Sequence, residues 1–140
     1  MATDSEHRNV TVERTAKGRF TATNVRGGQI TFGAGSEDFT PTELLLAAIG
    51  GCTAIDVDIV TSRRAEPEAF EVLTRANKVR DSDGNHLTAI EVTYRIVFPG
   101  GEHGDAARAL LPDVVKKSHD RLCTVGRTVE LGTPIATLIE

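Results

Sequence analysis

Thr40-Pro41-Thr42-Glu43-Leu44-Leu45-Leu46-Ala47-Ala48-Ile49-Gly50-Gly51-Cys52-Thr53-Ala54-Ile55-Asp56-Val57-Asp58-Ile59-Val60 is the stretch from which the rest of the chain can be read. Thr40 and Glu43 have the spacing of a capping box, in which each side chain satisfies a backbone N–H at the start of a helix. Pro41 falls at the first helical position, where a missing N–H costs nothing. From Leu44 to Val60 the run is apolar on almost every side. A surface helix would show one apolar stripe, so this one is expected to be buried all round. Arg63 and Arg64 suit its C-terminal end, where the helix dipole favours cations.

Outward from this helix the periodicity changes to two. Val10 and Val12 alternate within Asn9 to Thr15, and Phe20 and Ala22 within Arg19 to Asn24. Gly27-Gly28 marks a turn, and Gln29 to Phe32 makes a third short strand before a polar loop to Phe39. After the helix, Phe70, Val72, Thr74 and Ala76 alternate, then Ile90, Val92, Tyr94, Ile96 and Phe98, with the turn residues Asp81-Ser82-Asp83-Gly84-Asn85 between. These runs predict a hairpin with one buried face. Asp105 to Leu111 starts a second helix that Pro112 kinks or restarts and that continues to about Leu122 or beyond. Gly132 closes that region, and Pro134 to Ile139 is expected to be a last strand. The order β-β-β-α-β-β-α-β places the chain in the α+β class. Residues 1–8 are expected to be a loose tail and residues 9–140 a single domain. A helix so apolar needs more cover than one small sheet offers, and an intertwined dimer would provide it.

The 140 residues are 39% hydrophobic and 26% charged, with a net charge of −4. Lys and Arg are scattered, with one Tyr and no Trp, which speaks against nucleic acid as a partner. No apolar run is read as reaching the roughly 18 residues of a membrane span, and the N-terminus is polar. The expected location is the cytoplasm. Two cysteines in a reducing compartment are inert core thiols, a redox pair, or part of a metal site. The chain has no paired cysteines at zinc-finger spacing and no His-Glu-x-x-His, so no metal is expected. Neither a phosphate-binding loop nor a dinucleotide fingerprint occurs, so no cofactor is expected either.

Cys52 follows Gly50-Gly51, and each glycine inside a helix costs roughly 1 kcal/mol relative to Ala. Close backbone packing of a second helix, or room for a substrate beside the thiol, would offset that. A reactive thiol needs a cation or a helix N-terminus nearby. Cys52 lies about three turns from Pro41, beyond the reach of the dipole, and Asp56 on the same face opposes a thiolate. The activating cation must come from elsewhere. Arg19 and Arg26, flanking the second strand, are the candidates, and a solvated surface charge is the alternative for each. Cys123 has His119 and Arg127 four residues to either side, and both would lower its pKa if the helix persists. Glu43 is explained by the capping box, with a catalytic role as the alternative.

The segment Pro41 to Val57 resembles the first-cysteine segment of the OsmC-like proteins, in the branch with Gly-Gly-Cys. Leu122-Cys123-Thr124-Val125-Gly126-Arg127-Thr128 resembles their second-cysteine segment. The resemblance implies an intertwined homodimer with a curved antiparallel sheet wrapped on two central helices. It also implies a thiol peroxidase that reduces organic hydroperoxides to alcohols and is restored by an external dithiol. Carried onto this chain, Cys52 is the attacking thiolate and Cys123 the resolving thiol. Arg19 or Arg26 would be the cation, and Glu43 its partner. The rival reading is a non-catalytic ligand-binding or assembly module with structural cysteines, because a fold alone does not fix an activity.

Overall fold

The computed structural model of the protein describes residues 5–140. The first residues of the expected tail, 1–4, lie outside the described residues. The chain divides into two compact units, one ending at Leu45 and the other running from Leu46 to Glu140.

The first unit is a three-stranded antiparallel meander of β1 (Val10–Ala16), β2 (Arg19–Asn24) and β3 (Gln29–Gly33). Phe20 pairs with Phe32 across β2 and β3, with stacked rings 6.2 Å apart. This is the side-chain pairing that stabilises neighbouring strands. The capping box forms as its sequence dictates. Thr40 N–H donates to Glu43 Oε1 at 2.9 Å, and Glu43 N–H donates to Thr40 Oγ1 at 3.2 Å.

Helix α1 (Pro41–Thr61) follows, and its residues from Leu46 belong to the second unit. Its buried residues are Ile49, Gly50, Thr53, Val57 and Thr61, a ladder along one face. The expected all-round burial is not met within the chain. Ile55 and Ile59 are 61% and 52% exposed, so one apolar side of the helix stands open. By length and composition α1 is apolar enough to cross a bilayer, with a mean hydropathy of 1.8. This corrects the reading that no run reaches that length. The aspartates at 56 and 58 interrupt the sequence to the eye without offsetting its many Ile, Leu, Val and Ala residues. The core helix of a globular protein has the same property.

β4 (Ala69–Asp81) and β5 (Gly84–Val97) form the expected hairpin, in the register Phe70↔Ile96, Val72↔Tyr94 and Thr74↔Val92. A bulge sets Ala89 and Ile90 of β5 against Ala76 of β4, and Ala89 takes a left-handed backbone (φ 53°) there. Helix α2 (Glu102–Lys117) runs through Pro112 without stopping. A π-helical turn (Ser118–Leu122) follows, then Cys123 in extended backbone, then α3 (Thr124–Leu131), ended by Gly132 at φ 64°. The interruption expected at Pro112 thus falls at the π-helical turn and Cys123 instead. The expected last strand is not formed: residues 134–139 take no regular structure, and Ile135, Leu138 and Ile139 are each at least 90% exposed. A strand forms only where a neighbouring edge takes up its hydrogen bonds, and this segment finds none among the described residues. The architecture is α+β, with three helices and antiparallel sheets.

Candidate functional site

The site lies in the second unit, where α1 meets the joint between α2 and α3. Cys52 is half-buried on α1, one residue before the buried Thr53. The glycines before it have separate explanations. A Cβ on Gly50 would stand 2.3 Å from Thr74 Oγ1 of β4, so the position needs glycine for close approach to the hairpin. That replaces the expected second helix with a strand. A Cβ on Gly51 would meet nothing within 4 Å.

Cys123 is placed by a break in the helix. Its backbone (φ −74°, ψ 96°) leaves the helical region, and its sulfur accepts the Gly126 N–H at 3.3 Å as the N-cap of α3. The four-residue spacing that was to bring His119 and Arg127 onto its face presumed a continuous helix, and that premise fails. Cys123 is 4% exposed, and burial pushes its thiol up, not down. The Gly126 N–H opposes this in part. The adjacent Cys52, through a hydrogen bond and its charge, and Asp56, through its charge, push it further up. Both thiols are free.

A cavity of about 510 Å³ opens beside them, lined by apolar side chains including Ile49, Ile90 and Val92, with Cys123, Tyr94 and Thr53 in its wall. His119 and Glu130 are also in that wall. The His119 ring bonds Asp120 through Nδ1 and Glu130 through Nε2, each at 3.0 Å. These carboxylates, Asp120 first, hold the imidazole above its ordinary range. Sequence reasoning thus found His119 near Cys123 for the wrong geometric reason.

It missed the polar chain beneath the thiols. Ser118 Oγ donates to Asp56 Oδ2 at 2.7 Å, Thr53 Oγ1 lies 2.8 Å from Ser118 Oγ, and the Tyr94 hydroxyl lies 2.5 Å from Thr53 Oγ1. Thr53 and Ser118 are buried, and no buried side-chain polar atom lacks a partner among the described residues. A signal was present. Thr53 and Asp56 are the polar residues one turn apart in an apolar run, and Tyr94 is the polar inward position in an apolar alternation.

The other candidates belong to the first unit. Arg19 forms a two-pronged pair with Asp38, at 3.2 and 3.1 Å, and its hydrogen bond lowers the Asp38 pKa. Arg26 donates its backbone N–H to Asn24 Oδ1 at 2.9 Å, within the turn between β2 and β3. Glu43 is held by the capping box. Among the described residues no cluster of three or more His, Cys, Asp or Glu could hold a metal ion.

Comparison with known proteins identifies the fold and the family. Uncharacterised proteins of Mycobacterium tuberculosis and Mycobacterium bovis are 30% identical over 126 residues, covering 89% of this chain and 90% of theirs. The crystal structure of a hypothetical protein from Aquifex aeolicus superposes with a TM-score of 0.71 at 25% identity, covering 92% of this chain and 91% of that one. The fold is shared with an organic hydroperoxide resistance protein from Elizabethkingia anophelis, at a TM-score of 0.56 and 15% identity, with 91% of each chain covered. The profile described as OsmC-like protein matches residues 33–137, and the chain belongs to that family.

Proposed function

We propose that the protein is a cytoplasmic thiol-dependent peroxidase that reduces organic hydroperoxides to alcohols, as part of an oxidative stress response. The observation that carries this reading is the adjacency of two free thiols, Cys52 and Cys123, with Cys123 in the wall of an apolar cavity. Cys52 attacks the terminal peroxide oxygen, expels an alkoxide that leaves as the alcohol, and becomes a sulfenic acid. Cys123 condenses with it to a disulfide and water, and an external dithiol restores both thiols by exchange. The raised pKa of the buried Cys123 supports this division of roles, because a resolving thiol need not be a thiolate when the peroxide arrives. The apolar cavity favours bulky organic peroxides over hydrogen peroxide.

The working form is a homodimer. The open side of α1, with Ile55 and Ile59, and the exposed Ile135, Leu138 and Ile139 of the C-terminal segment support this, because so much apolar surface calls for a partner. Light scattering is expected to give twice the chain mass, and a monodisperse monomer at micromolar concentration would contradict it. The activity is tested by consumption of an alkyl hydroperoxide in the presence of several dithiols. Turnover with at least one dithiol is expected. No consumption beyond the uncatalysed rate, with both thiols still alkylatable, would favour a ligand-binding module.

A further inference from the structure

The chain of hydroxyls from Tyr94 to Asp56 has a direction. A carboxylate only accepts, so Ser118 spends its one hydrogen on Asp56. Ser118 must then accept from Thr53, and Thr53, its hydrogen also spent, must accept from Tyr94. Every hydrogen therefore points from Tyr94 toward Asp56. The two ends are placed differently. Tyr94 shares the cavity wall with Cys123, and the charge of Cys123 is felt at its phenol. Asp56 sits one helical turn beyond Cys52, on the same face of α1.

We propose that Tyr94, Thr53, Ser118 and Asp56 form a proton relay for the resolving step, carrying the proton of Cys123 to the hydroxyl that leaves Cys52. This rests on the peroxidase reading. The Cys123 thiol gives its proton to the Tyr94 oxygen, and Tyr94, Thr53 and Ser118 each pass one proton on, so that Asp56 receives one. The Cys123 sulfur attacks the sulfur of the Cys52 sulfenic acid. As the S–S bond forms the S–O bond breaks, and the departing hydroxide takes the proton from Asp56 and leaves as water. Cys123 and Cys52 end as a disulfide, the relay has moved one proton, and Asp56 is a carboxylate again. The hydroxyls then turn back to their starting direction.

This accounts for two features that the first step leaves unexplained. Asp56 brings Cys52 no positive charge, yet the leaving hydroxide needs an acid there. Burial keeps Cys123 protonated, so it needs a base when it attacks. A base and an acid joined by buried hydroxyls meet both needs without admitting water that would expose the sulfenic acid to further oxidation.

The test separates the two steps. The protein is mixed with one equivalent of an alkyl hydroperoxide and quenched at intervals. Sulfenic acid is trapped with a dione, disulfide is counted by mass spectrometry, and the variants are Tyr94→Phe, Thr53→Val and Thr53→Ser. Tyr94→Phe and Thr53→Val should slow disulfide formation ~10–100-fold relative to sulfenic acid formation in the same variant, in keeping with the loss of general acid–base assistance. Thr53→Ser keeps the hydroxyl and should restore the rate. Disulfide formation at the wild-type rate in Tyr94→Phe, or equal slowing of both steps, would overturn the relay. If Thr53→Val does not fold, Tyr94→Phe decides alone. Wild-type protein that forms neither sulfenic acid nor disulfide would overturn the peroxidase reading, and the relay with it.

Discussion

Cys52 sits inside a 21-residue helix, while Cys123 stands at a joint between a π-helical turn and an eight-residue helix. The first sulfur is aimed by regular geometry: the capping box sets where the helix starts, and the ladder Ile49, Gly50, Thr53, Val57, Thr61 sets which face turns inward. The second is aimed by the loss of regular geometry. Extended backbone at Cys123 turns its sulfur onto the Gly126 N–H and into the cavity wall. Had the helix continued, residues 119, 123 and 127 would have shared one face, and the cap on α3 could not have formed. A rigid helix holding one thiol and an irregular joint holding the other suit a pair in which one sulfur must move toward its partner to close a disulfide.

The largest effects should come from the sulfurs, and should be unequal. Cys52→Ser is expected to reduce organic peroxide consumption to the uncatalysed rate in a coupled assay. Cys123→Ser should allow one turnover, after which mass spectrometry finds the Cys52 sulfinic acid, because no thiol traps the sulfenic acid. Wild-type turnover in Cys52→Ser would reverse the assignment of the two roles.

The glycines sharpen the regular side of the comparison. Gly50→Ala drives a Cβ into Thr74, so it should lower stability in urea titration by about 1–3 kcal/mol, the usual cost of overpacking. Gly51→Ala meets nothing in its own chain and should raise the stability of the monomeric chain by roughly 1 kcal/mol through helix propensity. Equal losses at both positions would mean that the closeness of α1 to β4 does not explain Gly50.

On the irregular side the expected effect is smaller. Asp120 and Glu130 raise the pKa of His119, so His119 contributes stability that is fully present below the unfolded value of about 6.5. That contribution is lost as pH rises through the higher folded value. The thermal midpoint should therefore fall modestly across this window, and His119→Gln should flatten the fall. A fall unchanged in the variant would assign it to another group.

The sequence was informative in proportion to its regularity. Capping residues, period-two alternation and the Gly-Gly-Cys stretch are local signals, and α1, the meander and the β4–β5 hairpin follow from them. The break at Cys123 left no such trace. Thr124 and Val125 are ordinary residues, and a π-helical turn depends on how α2 and α3 pack. The C-terminal segment fails in the opposite way. Ile135, Leu138 and Ile139 read as a strand, yet a strand is a pairing and no neighbour is present among the described residues. The hydroxyl chain was hidden because its members lie far apart in sequence, Thr53 and Ser118 being 65 residues apart.

The central claim is that the helix-borne thiol and the thiol at the joint form one redox pair. Peptide mapping by mass spectrometry, after one equivalent of an alkyl hydroperoxide and alkylation of free thiols, tests it most directly. The account predicts the loss of two hydrogens from the intact chain and a single linked peptide pair joining Cys52 to Cys123 within one chain, reversed by a dithiol. Both cysteines alkylated after peroxide treatment, or a disulfide found only between chains, would contradict it.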